Sequence, residues 1–152
     1  MYWALLQPNT KIKGDLNRMS IWKDSLLIGV PEIDEQHQNL VGAIDRLMYA
    51  CEKGQGAAVI GDILSFAVSY TLEHFAAEEK AQEDFGYPGL ADHKQIHADF
   101  VANVSTFVDD FKRNGPSDKI VETLQAALVD WVVNHISVED KKVGDYIVAK
   151  GG

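Results

Sequence analysis

Apolar residues recur at intervals of three and four in four successive stretches, and each stretch ends at a glycine- or proline-containing break. In the first, Ile33, His37, Leu40, Val41, Ile44, Met48 and Cys51 line one helical face after Pro31, and Gly54-Gln55-Gly56 ends it. In the second, from about residue 57 to 85, Ile60, Ile63, Ala67, Tyr70, His74, Glu78 and Ala81 share a face, up to Gly86-Tyr87-Pro88-Gly89. His93, His97, Phe100, Val104, Phe107 and Phe111 mark a third, broken by Asn114-Gly115-Pro116. The fourth, capped by Ser117 or Asp118, carries Ile120, Leu124, Leu128, Trp131, His135 and Val138. Such segments joined by short turns predict an all-α, up-down-up-down four-helix bundle. Residues 21–152 would form the domain, with residues 1–20 as a flexible N-terminal extension.

The chain has 152 residues, 46% of them hydrophobic, enough for one domain with a sizeable core. A formal net charge of −9 disfavours nucleic acid and anionic membrane surfaces as partners. No apolar run is expected to reach the roughly 18–20 residues of a membrane span. The single cysteine, Cys51, cannot form an internal disulfide and reads as a small core hydrophobe, so a cytoplasmic location is expected.

All five histidines fall on the predicted inward faces. His93 and His97 are four apart, a rotation of about 400°, so both imidazoles leave one face and can grip one metal ion. His74 and Glu78 share the same spacing. His135 and Asp140 are five apart, about 140° from sharing a face, and require an irregular turn near residues 137–140. A histidine pair alone is a weak metal signal, and a single histidine on an apolar face is more often a hydrogen-bonded core residue.

Taken jointly, the cluster is harder to explain without metal. Burying these imidazoles and carboxylates uncompensated costs several kcal/mol per ion, against a domain stability of roughly 5–15 kcal/mol. Seven ligands exceed one tetrahedral zinc, and imidazole with carboxylate suits iron. Two octahedral irons offer about twelve positions. Five imidazoles, two bridging carboxylates and a bridging oxygen leave one position open, where dioxygen can bind.

Asp34-Glu35-Gln36-His37, His74-Phe75-Ala76-Ala77-Glu78-Glu79, Gly86-Tyr87-Pro88 followed by His93 and His97, and Trp131 with His135-Ile136 and Asp140 together resemble the motifs of the hemerythrins, the bacterial ones in particular. The resemblance runs from about Ile21 into the 140s. It implies a non-haem di-iron centre that binds dioxygen reversibly, with an oxo or hydroxo bridge and with Glu78 and Asp140 bridging both irons. One iron would take His93, His97 and His135, and the other His37, His74 and the vacant position. The five-position step from the last histidine to the aspartate is also that family's spacing. Phe75, Trp131, Val132 and Ile136 would line the oxygen pocket, and Trp22 would pack its arm on the bundle. The family often has leucine at the position of Val132 and methionine at that of Gln82, and the methylene missing at Val132 would open the pocket to solvent and speed autoxidation.

Oxygen storage or delivery therefore leads. An oxygen- or redox-sensing module is the alternative, disfavoured because no output domain follows Gly152, although the first twenty residues would suit the remnant of a junction. A carboxylate-rich di-iron oxygenase needs Glu-x-x-His, but Asp34, Thr71, Leu90, Lys94 and Val132 precede the histidines by three. A zinc peptidase needs glutamate at Lys94. The expected function is therefore not enzymatic, with peroxidase-like or nitric-oxide-handling chemistry open as a side activity.

Overall fold

A computed structural model describes residues 20–152, and the extension expected over residues 1–20 lies, apart from Ser20, outside the described residues. Four long helices carry the fold: α1 (Pro31–Glu52), α2 (Gly56–Asp84), α3 (Leu90–Asn114) and α4 (Asp118–Asn134). Beyond α4 the chain makes a π-helical turn, His135–Asp140, and resumes as α5 (Lys141–Ala149). α1 packs on α2 and α4, and α3 closes the square against the same two helices. The result is the expected all-α bundle, and among the described residues there is no strand.

Local chemistry sets the ends. Pro31 occupies the first turn of α1, where its missing N–H costs nothing. Gly115, at φ 72, terminates α3 in the left-handed region. The Ser117 hydroxyl then accepts from the Ile120 N–H at 3.2 Å and starts α4.

Residues 20–30 are fastened to the bundle by two buried carboxylates. Asp45 accepts from the Ser20 hydroxyl and, at 2.9 Å, from the Ile21 N–H. Asp34 accepts the N–H groups of Ile28 and Gly29 at 2.7 and 3.1 Å. Trp22 packs half-buried against the core. Gly144 of α5 lies so close under Ile28 that a Cβ there would collide with the Ile28 carbonyl oxygen.

Two expectations need correcting. Val138, placed on the inward face, is 49% exposed because it lies within the π turn, whose wider pitch rotates it off that face. An 18-residue window of α2 reaches a mean hydropathy of 1.2, so by length and composition α2 is apolar enough to cross a membrane, and only 22% of that window is buried. That exposed apolar surface faces a groove beside α3, whose fully buried residues are His93, His97 and Phe100, all in its first half. The bundle is thus closed at the histidine end of the α2–α3 seam and parted at the other.

Candidate metal centre

Each of the four walls supplies donors at one depth: α1 gives His37, α2 gives His74 and Glu78, α3 gives His93 and His97, and the π turn gives His135 and Asp140. All seven are at most 5% exposed. The π turn solves the spacing problem noted above. Its i→i+5 hydrogen bonding widens the turn by about one residue, so residues five apart return to nearly the same face. His135 Nε2 accordingly lies 2.8 Å from Asp140 Oδ1.

The donors form two overlapping groups. Glu78, His93, His97, His135 and Asp140 bring ligand atoms within 4.8 Å of one another, and so do His37, His74, Glu78 and Asp140. Glu78 and Asp140 belong to both. Such a set fits a pair of cations bridged by two carboxylates, with three imidazoles on one side and two on the other.

Hydrogen bonding tests that fit. His37 Nε2 is 3.0 Å from Asp140 Oδ2, and His93 Nε2 is 3.2 Å from Glu78 Oε1 and 3.1 Å from Asp140 Oδ1. Yet all of these atoms, with Glu78 Oε2, lack an aligned hydrogen-bond partner among the described residues. They lie side by side and converge on shared points. His97 Nε2 and His135 Nε2 meet at 3.2 Å, a contact that needs either a proton or a cation between the two ring nitrogens. Orphaned buried polar atoms of this kind are rare and costly, and cations at the convergence points would satisfy them together.

The remaining ring nitrogens of two histidines are held from outside. His74 donates its Nδ1–H to Gln36 Oε1 at 2.7 Å, and His97 donates its Nδ1–H to Glu79 Oε1 at 2.8 Å. Each bond fixes the tautomer and aims the unprotonated Nε2 inward. Stacking fixes the ring planes: Phe75 lies on His97 at 3.6 Å and 4°, and Trp131 on His135 at 4.2 Å and 11°. Phe100 backs Trp131 at 3.7 Å. Gln36, Glu79 and Phe100 in these supporting roles were not anticipated, since each depends on a contact between helices.

The protonation pattern without cations is that of ligands waiting for positive charge. Burial, then the neighbouring His37, lowers His74 to about 3, and burial, then His93, lowers His97 to about 2, so both are neutral and available to metal. Burial also opposes charge on His93, but Asp140 and Glu78 beside it outweigh that and raise it to about 9. Burial and the adjacent Asp140 push Glu78 well above its usual range. Asp140 is held well below the usual carboxylate range because His135, His37 and His93 outweigh its burial.

A cavity of about 30 Å³ adjoins His37 and His74. Phe75, Trp131, Val132 and Ile136 line it, with Leu40 and Ile44 from α1. Apart from the donors and Thr71 its lining is apolar, and it holds about one small molecule.

Comparison with known proteins accords with this geometry. The sequence profile of the hemerythrin HHE cation binding domain matches residues 28–147. A bacteriohemerythrin of Stenotrophomonas maltophilia is 35% identical over 129 residues, covering 85% of this chain and 82% of that protein. One from Pseudomonas aeruginosa is 35% identical over 120 residues, covering 79% and 76%. A myohemerythrin of Riftia pachyptila is 30% identical over 122 residues, covering 80% and 88%. Profile and relatives span the helices that carry the donor cluster, and the chain belongs to the hemerythrin family.

Proposed function

We propose that this chain binds dioxygen reversibly at a di-iron centre, for storage, delivery or scavenging. The observation that carries the reading is the asymmetry of the cluster: a small, mostly apolar cavity is lined by both His37 and His74 but by only one of the other three imidazoles, His135. His93, His97 and His135 would hold one iron, His37 and His74 the other, and Glu78 and Asp140 would bridge them. When bound, such a pair of ferrous ions supplies the electrons that dioxygen takes up on binding and regains them on its release.

The protein's own part is positional. Gln36 and Glu79 hold the imidazoles of His74 and His97 in the tautomer that presents Nε2 to metal. Phe75 and Trp131 stack on the imidazoles of His97 and His135 and hold their ring planes. Phe75, Trp131, Val132 and Ile136 exclude water from the cavity and so keep protons from the bound ligand. No acid–base residue is needed for reversible binding, which supports a binding protein over an enzyme. A cytoplasmic site of action accords with the single cysteine.

The test is a visible spectrum of iron-loaded, anaerobically reduced protein through cycles of air and vacuum. A band that appears with air and fades under vacuum over several cycles is expected. Direct passage to a stable oxidised spectrum in the first cycle would refute reversible binding.

A further inference from the structure

Between α2 and α3 a second cavity of about 480 Å³ opens to solvent, with Leu64, Val68, Leu72, Val101, Val104 and Phe111 among its walls. The two helices part here while the rest of the seam is shut. Phe107 and Phe111, which fall on the inward face of α3, remain only half-buried. Leu72 is 50% exposed, a large apolar side chain facing a space that no other described segment fills.

The floor of this groove is also the wall of the small cavity at the donor cluster. Ala67, Thr71, Phe100 and Leu128 line both. Three of the four are apolar. Ala67 is the smallest of the four, while Phe100 is held in place by its stack on Trp131 and its edge contact with Phe75, centroids 6.1 Å apart. Apolar space takes up small apolar solutes such as xenon.

We infer that the α2–α3 groove is the entry route and antechamber for dioxygen, which reaches the donor cluster through the throat formed by Ala67, Thr71, Phe100 and Leu128. This rests on the oxygen-binding reading above. It adds to it a path on one side of the bundle and a residue, Ala67, whose size sets the rate of passage. The wall that the groove shares with the small cavity selects the occupant: a molecule that passes between the two must be small and apolar.

Two experiments test the route. In xenon-pressurised crystals of the iron-loaded protein, xenon density is expected in the groove and at the throat. Absence of xenon from both would overturn the route. This outcome does not depend on ferrous iron, so it decides the path even if the reduced protein takes up no oxygen, a result that would sink the oxygen-binding reading separately.

The second is stopped-flow oxygen kinetics. Ala67→Phe is expected to slow association roughly tenfold, since access governs such rates. Val104→Trp fills the outer groove at a half-buried position without touching the small cavity. It should slow association and dissociation by the same factor and leave the equilibrium affinity and the spectrum unchanged. Unchanged rates in Val104→Trp, or slowing only in an Ile44→Phe variant on the α1 side of the small cavity, would overturn the route. So would a dimer in solution that shields the groove.

Discussion

The α2–α3 seam is built in two ways along its length. Near the donor cluster it is closed by polar and aromatic contacts: Glu79 on His97 at 2.8 Å, Phe75 stacked on the same ring, and Glu78 beside His93. One to three turns away, the same two helices leave an apolar groove of about 480 Å³. In the closed half, buried charge sets the geometry, and every side chain is positioned by the need to satisfy its neighbours. In the open half the facing side chains are mainly apolar, and apolar contact is non-directional and tolerates a gap. The closed half therefore has the rigidity a metal site requires, and the open half has the permeability that a gas ligand requires.

The largest effect should come from a residue shared by both donor groups. Glu78→Ala removes a shared carboxylate, and reconstituted protein is expected to retain neither iron at full occupancy, as read by metal content per chain. Full loading would mean that the carboxylate does not bridge.

Paired truncations at the two ends come next. Phe75→Ala, in the closed half at 5% exposure, should cost about 3–5 kcal/mol in denaturant unfolding. Phe111→Ala, half-buried in the open half, should cost about 1–2 kcal/mol and leave iron loading intact. Equal costs would erase the contrast between the halves.

Smaller still are the outer partners of the histidines. Glu79→Ala and Gln36→Ala should each weaken iron binding by about 10–100-fold, measured by competition with a chelator. An unaltered affinity in either would show that its hydrogen bond does not orient the ring.

The least effect is expected at the cavity wall. Val132→Leu adds one methylene to a space of about 30 Å³ and should slow autoxidation of the oxygen adduct severalfold. Equal rates in the two proteins would leave the cavity volume irrelevant to the lifetime of the adduct.

These contrasts also mark what was legible from the chain itself. The helix ends were, because Pro31, Gly54 to Gly56, Gly86 to Gly89 and Gly115-Pro116 act locally. So was the need for an irregular turn, since His135 and Asp140 cannot share a face of an α-helix. Its π form displaced Val138 to the surface, a consequence of phase that a regular period cannot reveal. The supporting pairs Gln36–His74 and Glu79–His97 reach from one helix to the next, and a polar residue beside a donor reads equally well as solvated. The groove was hidden for a different reason. Val104, Phe107 and Phe111 carry the periodicity of a core face, and whether a facing helix comes close enough to cover them depends on the packing of the whole bundle.

The most direct test of the central claim is anomalous diffraction at the iron edge from crystals of the reduced, iron-loaded protein. Two iron peaks are expected, both within coordination distance of Glu78 and Asp140, one also reaching His93, His97 and His135 and the other His37 and His74 with an open position toward the small cavity. A single peak, or an iron on the two-histidine side whose coordination is filled by protein, would contradict it.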